Sequence, residues 1–574
     1  MTSFREVLPL RAAIDSGGAL EPTPTENGTL PFRRGGFRSL AEALDHAAGG
    51  DTGLNFFDSR GRLQHVLPWR RLRSEARVFA RHLAGAGIAR GERLLLVAET
   101  SPDFCVAFFG AQFAGIVPVP VATPVGLGSR ASYIEQLARQ VEACGAVGIL
   151  GPRELAPHLG AAVAASGARL AGTVGDILAL PPAAADRAPL GAGEACYVQF
   201  SSGSTRTPRG VDIRQDQLMA NIDASLAAQE IGPSDAGVSW LPLYHDMGLI
   251  GFLLAPLCAQ RSIDFLSAQD FARRPLQWLS LIARRRATIT YSPSFGYDLV
   301  VRRADRQRLE GVDLSSLRLA GIGADMIQPA ILDRFAEAFA GNGFDRRAFL
   351  PSYGMAEVCV GLSFRKPFSG VRLDSFVDPQ SGRTRSFVLC GRVIAGHAVE
   401  ARDREGRVLG EREIGRLFVR GPSVMPGYIQ AGVDDDSPIR DGWLDTGDLG
   451  YWCDGELVIT GRAKDLIIVN GRNVWPQDIE WAVGELRPGG RAGCCAFSIE
   501  AGDTEKVVVL SELRPETEAE REVLEGSIRQ VVKETTGLES QVFLVGRRPG
   551  LPRTSSGKLA RTAARARFLA GAYR

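Results

Sequence analysis

The chain has 574 residues, of which 45% are apolar and 23% are charged, and its formal net charge is +2. A chain of this length exceeds what one hydrophobic core supports, so we expect two or more domains. The balanced charge argues against a nucleic-acid partner, and the longest apolar run, residues 249–259, is too short to span a membrane. Because the first residues lead into no apolar segment of signal-peptide type, we expect a cytoplasmic protein.

The nine cysteines are scattered along the chain, and their number is odd. They lack the CxxC spacing and the neighbouring histidines of a zinc site. We therefore expect reduced thiols rather than disulfides or a structural metal.

Between about residues 70 and 300, short apolar runs that suit strands alternate with longer segments of helical periodicity. These runs lie at 93–98, 148–150, 197–200 and 288–291. Alternation of this kind is typical of α/β layers built on largely parallel sheets. The proline-rich segment 180–189 cannot hold a regular element and predicts a surface loop that leads into the third run.

Beyond residue 390 the strand-like runs become shorter and turn signals become more frequent. Asp454 and Gly455 form a dipeptide that favours a tight turn. It predicts a hairpin that folds residues 449–453 onto residues 456–460.

A domain boundary is predicted shortly after this hairpin, where residues 461–465 separate two apolar strands. The N-terminal domain would comprise residues 1–462. Residues 463–574 would form a small α+β C-terminal domain.

The run at 197–200 leads directly into a loop of small hydroxylated residues, glycines and two arginines, residues 201–210. Glycine lets the backbone approach an anion closely, hydroxyl groups donate hydrogen bonds, and arginine keeps its charge at any working pH. The pattern predicts a phosphate cradle, although such a loop on its own is also compatible with an ordinary turn. It is not a Walker loop, since the sequence has no Gly-x-x-x-x-Gly-Lys-Ser/Thr. The residues assigned to phosphate binding are Ser201, Ser202, Gly203, Ser204, Thr205 and Arg206.

Five further motifs accompany this loop. They are 239–249 (SWLPLYHDMGL), 353–357 (YGMAE), 445–449 (DTGDL), 461–465 (GRAKD) and 551–561 (LPRTSSGKLAR). As an ordered set they resemble the adenylate-forming superfamily of acyl-CoA synthetases, peptide-synthetase adenylation domains and luciferases, over residues 195–562. The cradle and the first and last motifs are most similar to those of fatty-acyl-AMP ligases.

The resemblance implies an α/β fold with a large N-terminal domain of layered sheets, a distorted β-barrel-like subdomain and a small mobile α+β C-terminal domain. It also implies an enzyme that uses ATP and Mg²⁺ to activate a medium- or long-chain fatty acid. The acid would attack the α-phosphate, release pyrophosphate and form an acyl-AMP. The acyl group would then pass to the phosphopantetheine thiol of an acyl carrier protein, as in polyketide or lipopeptide biosynthesis.

By the same resemblance, Tyr353 packs on adenine within a motif that also contains Gly354 and Met355. Glu357, at the end of this motif, would bind the magnesium ion that bridges the phosphates. Taken alone, Glu357 would be read as a surface carboxylate.

The resemblance also assigns Asp448 to the ribose, because one carboxylate can accept hydrogen bonds from both hydroxyls. Arg462 would lie near the ribose and the phosphates. Lys464 matches the hinge about which the C-terminal domain turns. Without the other motifs, Asp448 would be read as a turn-capping residue.

Lys558 follows a Ser-Ser-Gly stretch, where a flexible loop can carry an ammonium group into a closed site. By resemblance it bridges the substrate carboxylate and the α-phosphate; the alternative is a lysine on a basic C-terminal helix. His245 would position the acid rather than act as a base, since a carboxylate is already ionised at pH 7. Candidate walls of the acyl pocket, which could equally be plain core, are Trp240, Leu241, Leu243, Met247, Leu249 and Phe295.

The sequence departs from the family pattern at two positions and in one segment. Arg209 stands where the cradle commonly carries lysine, which keeps the charge, and Asp325 stands where many relatives have glutamate, so no role is assigned to it. The segment 363–391 looks shorter than the insertion that disfavours coenzyme A in fatty-acyl-AMP ligases. An acyl-CoA synthetase that uses free coenzyme A therefore stays open. A catalytically silent relative that binds nucleotide or carrier protein is the alternative of another class, and aryl or amino acid substrates also stay open.

Overall fold

The fold is seen in a computed structural model that describes residues 20–124, 130–200, 209–304, 309–377, 384–429, 437–469, 472–486, 493–501, 504–546, 550–554 and 558–573. Within these ranges, no helix is both long and apolar enough to cross a membrane. The strands are β1 (Gly53–Phe57), β2 (Leu63–Pro68), β3 (Arg93–Val97), β4 (Val117–Val121), β5 (Gly148–Leu150), β6 (Leu170–Gly172), β7 (Ala195–Phe200), β8 (Gly210–Arg214), β9 (Gly237–Ser239), β10 (Ile263–Leu266), β11 (Ile289–Ser292), β12 (Leu319–Ile322), β13 (Phe349–Gly354), β14 (Gly361–Phe364), β15 (Leu373–Val377), β16 (Thr384–Val388), β17 (Arg392–Val393), β18 (Ala398–Arg402), β19 (Gly415–Arg420), β20 (Tyr428–Ile429), β21 (Ile439–Arg440), β22 (Trp443–Cys453), β23 (Glu456–Arg462), β24 (Ile467–Val469), β25 (Arg472–Val474), β26 (Cys494–Ala501), β27 (Thr504–Ser511) and β28 (Ser540–Leu544).

The helices pack against these strands in layers. Local signals fix their ends: in the helix that begins at Pro102, the Ser101 hydroxyl accepts a hydrogen bond from the Phe104 amide, and Gly115 ends the helix at φ 71°. The α-helices are α1 (Leu40–Ala47), α2 (Trp69–Gly85), α3 (Pro102–Ala114), α4 (Arg130–Cys144), α5 (Ala156–Ser166), α6 (Val174–Leu178), α7 (Gln215–Ala228), α8 (Asp246–Leu249), α9 (Ala255–Cys258), α10 (Ala268–Arg273), α11 (Leu276–Arg285), α12 (Ser294–Arg302), α13 (Pro329–Phe339), α14 (Pro476–Gly484), α15 (Glu518–Thr536) and α16 (Arg561–Leu569).

The largest sheet has nine strands in the order β17-β14-β13-β12-β11-β9-β10-β1-β2. Its six central strands, from β13 to β1, run parallel, and only the edges are antiparallel. A second sheet, β4-β3-β5-β6, is parallel throughout. The predicted α/β layering with largely parallel sheets is confirmed.

The strand that leads into the predicted cradle differs from the others. β7 pairs antiparallel with β8, which follows the cradle, and β8 pairs with β20 in a small three-stranded sheet. An apolar run predicts a buried strand but carries no information about the direction of its partner. The cradle therefore joins two neighbouring antiparallel strands, so its ends are held close together.

The strands between residues 398 and 462 pair antiparallel. β18, β19, β21, β22 and β23 form one five-stranded sheet, in the part of the chain where a barrel-like subdomain is predicted. The predicted hairpin is confirmed: Cys453 pairs with Glu456 across Asp454 (φ 52°) and Gly455 (φ 71°). Positive φ at both turn positions matches the twist of the two strands.

Residues from 467 onward form hydrophobic clusters of their own. One cluster packs α14 and α15 on one side of the β26-β27-β28 sheet, and the other packs α16 against the same strands. The main cluster consists of earlier residues. The domain boundary near residue 462 remains a prediction with which this arrangement agrees.

All nine cysteines are buried and none forms a disulfide. Burial raises the pKa of these thiols, for example that of Cys144 to about 11. Among the described residues, no group of three or more His, Cys, Asp or Glu side chains could hold a metal ion.

Candidate functional site

One cavity of about 800 Å³ runs between the large sheet, the β22–β23 hairpin and the C-terminal residues. This volume lies within the range of small-molecule and cofactor sites. Its lining includes these residues from the sequence motifs: His245, Tyr353, Gly354, Met355, Glu357, Asp448, Arg462, Lys464 and Lys558.

Tyr353 and Asp448 meet across the cavity. The Tyr353 hydroxyl donates a hydrogen bond of 2.6 Å to Asp448 Oδ2. Tyr353 lies near the end of β13, where Gly354 permits a close return of the chain, since a Cβ at Gly354 would stand 1.7 Å from the Val360 carbonyl oxygen. Met355, the next residue, is 8% exposed.

Asp448 and Arg462 are register partners in the β22–β23 hairpin, and Arg462 Nε lies 3.1 Å from Asp448 Oδ1. Asp448 is 5% exposed. Burial raises the pKa of the Asp448 carboxyl, against the opposing effects of Arg462, the Tyr353 hydrogen bond and Lys558. The carboxylate therefore sits at the cavity wall with a cation beside it.

Glu357 lies opposite this pair, just after β13. The Tyr428 hydroxyl donates a hydrogen bond of 2.7 Å to Glu357 Oε1, and in the described part of the chain no group donates to Oε2. The Arg209 guanidinium lies over the Tyr428 ring, 5.5 Å from its centroid. One fixed carboxylate with an open oxygen fits Mg²⁺, which takes one or two protein carboxylates and completes its octahedron with phosphate oxygens and waters.

His245 precedes the short helix α8, and its Nδ1 lies 2.5 Å from Asp246 Oδ1. Burial opposes ionisation of Asp246, yet the charge and hydrogen bond of His245, with Lys558, lower its pKa. Gln199, 4% exposed, donates from Nε2 to the Tyr244 carbonyl at 2.8 Å, and its Oε1 has no described hydrogen-bond partner. His245 and Gln199 thus give this part of the cavity wall an imidazole and an amide oxygen that accepts no described hydrogen bond.

Lys558 lies in the C-terminal part of the chain and lines this cavity. Its amide donates to Thr554 Oγ1 at 3.2 Å, and its carbonyl accepts from the Thr554 amide at 2.8 Å. It precedes α16, so the alternative of a lysine on that helix does not hold. Lys558 lines the cavity together with His245 and Tyr353, and its positive charge acts to lower the pKa of both Asp246 and Asp448 against the effect of burial.

Arg561 supports the Lys558 segment. Its guanidinium binds Glu480 through two hydrogen bonds of 2.8 and 2.6 Å and donates to Asp465 at 2.9 Å. Asp465 follows Lys464 in the predicted hinge, and Lys464 itself is exposed at the cavity rim. The three side chains tie α16, α14 and the hinge segment together.

The β15–β16 hairpin, which lies in the segment 363–391, contacts the C-terminal residues. Arg385 Nη2 lies 2.5 Å from Asp478 Oδ2, and its guanidinium stacks 4.1 Å from the Trp475 ring centroid. The Arg385 and Asp478 side chains are 14% and 23% exposed. The short hairpin therefore holds the C-terminal residues against the rest of the protein.

Of the six candidate acyl-pocket walls, only Met247 lines the cavity. Trp240 stacks on Phe271 with ring centroids 4.0 Å apart, and Phe295 is 47% exposed. The alternative, plain core, holds for Trp240 and for Leu241, Leu243 and Leu249. An apolar run does not distinguish core from cavity wall, because both are buried.

Some functional candidates fall outside the described residues, namely Ser201, Ser202, Gly203, Ser204, Thr205 and Arg206. The cavity includes Gln199 and Arg209, which flank them. Sequence reasoning missed Gln199, Tyr428, Asp246 and Arg561. The adjacency of Asp246 to His245 was an available signal, whereas Arg561 pairs with a residue 81 positions away.

The sequence profile of the AMP-binding enzyme family matches residues 56–429. The chain is 45% identical to the "Putative acyl-CoA synthetase" of Caulobacter vibrioides over 96% of its own length and 98% of that protein. It is 32% identical to the long-chain-fatty-acid–AMP ligase FadD26 of Mycobacterium tuberculosis, over 88% and 92%. A solved chain from a study of fatty acyl-adenylate ligases from E. coli and L. pneumophila superimposes with a TM-score of 0.89 and 38% identity, over 94% of this chain and 99% of that one.

Proposed function

The chain belongs to the AMP-binding enzyme family, and we propose that it is a fatty-acyl-AMP ligase that converts ATP and a fatty acid into acyl-AMP and pyrophosphate. The observation that carries this proposal is the meeting of Lys558 with the Tyr353–Asp448 pair in one cavity. The similarity to FadD26 and to the solved fatty acyl-adenylate ligase chain supports the choice of a fatty acid.

The nucleotide would bind with its adenine against Tyr353, in the turn formed by Gly354 and Met355. Asp448 would accept hydrogen bonds from the ribose hydroxyls, and Arg462, which already neutralises it, would reach the phosphates. Residues 201–206 would hold the β- and γ-phosphates, since they join β7 to β8 beside Arg209 at the cavity.

Adenylation joins an oxygen of the substrate carboxylate to the α-phosphorus and breaks the bond to pyrophosphate. Lys558 would bridge the two anions during this step, because its ammonium group offers several donors and a full charge. His245 would orient the carboxylate, and its partner Asp246 would fix the imidazole.

Glu357 would hold Mg²⁺ with its open Oε2, while Tyr428 fixes Oε1. When bound, the metal neutralises charge on the phosphates and helps pyrophosphate to leave. Lys558 and the metal held by Glu357 would therefore compensate charge on both sides of the reacting phosphorus.

Residues 463–574 would form a mobile domain that turns about Lys464 after adenylation and exchanges Lys558 for a thiol acceptor. The contact of Arg385 with Asp478 and Trp475 would restrain this rotation. It therefore favours a phosphopantetheine thiol on an acyl carrier protein, whose docking would add binding energy to drive the rotation that free coenzyme A lacks. The name of the Caulobacter relative keeps coenzyme A as the second candidate acceptor.

The test is an assay with ATP, Mg²⁺ and a series of fatty acids, with and without coenzyme A, in which products are resolved by mass. We expect acyl-AMP that coenzyme A does not consume. Lys558→Ala should abolish acyl-AMP formation yet leave transfer from supplied acyl-AMP largely intact. Lys533→Ala is the matched control, since it removes an exposed lysine of α15 that pairs with Glu539.

Three outcomes would change the proposal. Conversion to acyl-CoA would make the protein an acyl-CoA synthetase. Equal loss of both half-reactions in Lys558→Ala would remove the role assigned to Lys558. Absence of pyrophosphate release with any acid would favour a silent nucleotide- or carrier-binding relative.

A further inference from the structure

The cavity also reaches the opposite edge of the large sheet, since Asp235 and Arg261, which precede β9 and β10, line it together with Tyr353 near the end of the parallel β13. Residues of helix α7 line the cavity as well. Asn221, Ser225 and Gln229 line it at helical spacing, so this polar stripe is about 12 Å long at 1.5 Å per residue. Apolar residues form other parts of the wall, including Phe252, Pro256, Ala259 and Ile263. The space is therefore long and mixed in polarity rather than uniformly apolar.

Asp235 stands at the far end of this space, and its charge is already neutralised. Both oxygens are occupied: Oδ1 accepts from Arg318 Nε at 2.8 Å and from the Thr288 hydroxyl at 2.6 Å, and Oδ2 accepts from the Gly232 amide at 2.8 Å and from Arg318 Nη2. Asp235 is 3% exposed. It thus has little capacity to neutralise a second cation.

Arg261 is that second cation. It lines the same end of the cavity and is 4% exposed. Nε donates to the Ala259 carbonyl at 3.1 Å, Nη1 donates to the Pro233 carbonyl, and the guanidinium lies 5.4 Å from the Phe32 ring centroid. Within the described ranges, Nη2 has no acceptor and no carboxylate lies within 4 Å of the group.

A buried guanidinium without a direct ion pair is unfavourable, because the group has lost water and no carboxylate binds it in exchange. Burial accordingly lowers the pKa of Arg261, and the charges of Asp235 and Glu26 act in the opposite direction. Arginine is also the side chain best suited to bind a carboxylate through two parallel hydrogen bonds.

We propose that Arg261 binds a carboxylate at the far end of the acyl chain, so that the preferred substrate is a long-chain dicarboxylic acid adenylated at one end only. This inference rests on the proposed function. The apolar wall would contact the methylene groups, while the side chains of the polar stripe are already hydrogen-bonded within the protein. A monocarboxylic acid would place a methyl group against Arg261 and leave the guanidinium unpaired.

The experiment compares dicarboxylic acids with monocarboxylic acids of equal length, from about ten to sixteen carbons, by ATP–pyrophosphate exchange. At the best length, we expect kcat/KM to be at least about tenfold higher for the dicarboxylic acid, since a site built for a polar group discriminates strongly against its absence. An equal or higher value for the monocarboxylic acid at every length would overturn the proposal. So would a preference for the matching ω-hydroxy acid, whose far end carries a neutral hydroxyl group instead of a carboxylate.

Arg261→Met removes the charge and keeps the length of the side chain. We expect it to lose at least about tenfold in kcat/KM for the dicarboxylic acid and to keep or improve the value for the monocarboxylic acid. Arg34→Met is the matched control, since Arg34 donates to the Ile231 carbonyl at 2.8 Å near the same region but does not line the cavity.

An equal loss for both acids in Arg261→Met would make Arg261 a structural residue that only ties chain segments together. The substrate comparison on the unaltered protein decides the question even if this variant does not fold. Failure of the proposed function is distinguishable, because no acid of either kind would then support pyrophosphate exchange.

Discussion

The Tyr353 hydroxyl and the Asp448 carboxylate are joined by a hydrogen bond of 2.6 Å although 95 positions separate them in the chain. The bond connects the end of strand β13 in the large sheet with the β22–β23 hairpin. It fixes the carboxylate that we assign to the ribose before any nucleotide arrives.

Tyr353→Phe tests this preorganisation. Loss of a hydrogen bond to a charged group costs about 1.5–3 kcal/mol where the group is buried, so we expect KM for ATP to rise by about tenfold or more. The hydrogen bond also lowers the pKa of Asp448, so the acid limb of kcat/KM for ATP should move to higher pH. An unchanged pH profile would mean that Asp448 does not need Tyr353 to stay ionised.

Asp448→Asn should weaken ATP binding without weakening the fold. Burial raises the pKa of Asp448 above its value of about 3.9 in the unfolded chain, so the folded state binds more protons between those two pKa values. The free energy of unfolding therefore falls as pH rises through this window. At neutral pH the ionised Asp448 still lowers the stability of the fold. We expect the melting temperature of the variant at pH 7 to equal or exceed that of the parent; a clear decrease would contradict this sign.

Arg561→Met should destabilise the C-terminal residues. It would leave Glu480 and Asp465, whose side chains are 10% and 13% exposed, without their shared cation, at a cost of about 3–5 kcal/mol. Urea denaturation followed by circular dichroism measures the loss. The control Arg565→Met removes an exposed arginine that donates to the Ser498 carbonyl, and it should change stability by no more than about 0.5 kcal/mol.

Arg385→Ala should increase the use of coenzyme A as acceptor. The substitution removes both the ion pair with Asp478 and the stacking on Trp475, and so frees the C-terminal residues to rotate. Acyl-CoA formation, measured by mass, should rise while acyl-AMP formation stays near its original rate. Arg372→Ala is the control, because Arg372 precedes the same hairpin but pairs with the exposed Asp454; an equal response of both variants would argue against a restraint.

His245→Ala should slow adenylation by about 10- to 100-fold, as expected for a residue that positions the acid. The melting temperature should fall by no more than about 3 °C, because Asp246 keeps the hydrogen bond of 2.7 Å from the Met247 amide and the positive charge of Lys558. His65→Ala, on the exposed face of β2, is the control. A large decrease in melting temperature would instead identify His245 as a core residue.

The sequence predicted the parts of the fold that are encoded locally. The runs at 93–98 and 148–150 became β3 and β5, and the hairpin formed at Asp454–Gly455, because strand periodicity and turn residues act over a few positions. The pairing direction of β7 was not predictable, since it depends on which distant strand reaches it.

The candidate site also has residues that the sequence predicts and residues that it does not. Tyr353, Asp448 and Lys558 could be named from motifs and do share one cavity, while their catalytic roles remain predictions. Arg261 could not be found from the sequence, because nothing local indicates that its neighbour Asp235 is already paired with Arg318. Whether Arg261 has a free counter-charge depends on how the segments that contain residues 235, 261 and 318 pack together, and these segments are far apart in the chain.

The burial of all nine cysteines has a practical consequence for measuring motion. Alkylating reagents attack thiolates, and these thiols are both inaccessible and held in the neutral form. A single cysteine introduced at an exposed position such as Val523 on α15, which is 67% exposed, would therefore be the one group that accepts a maleimide dye. The nine native cysteines would stay unlabelled, and fluorescence from the single dye would report in real time whether the C-terminal residues rotate as proposed.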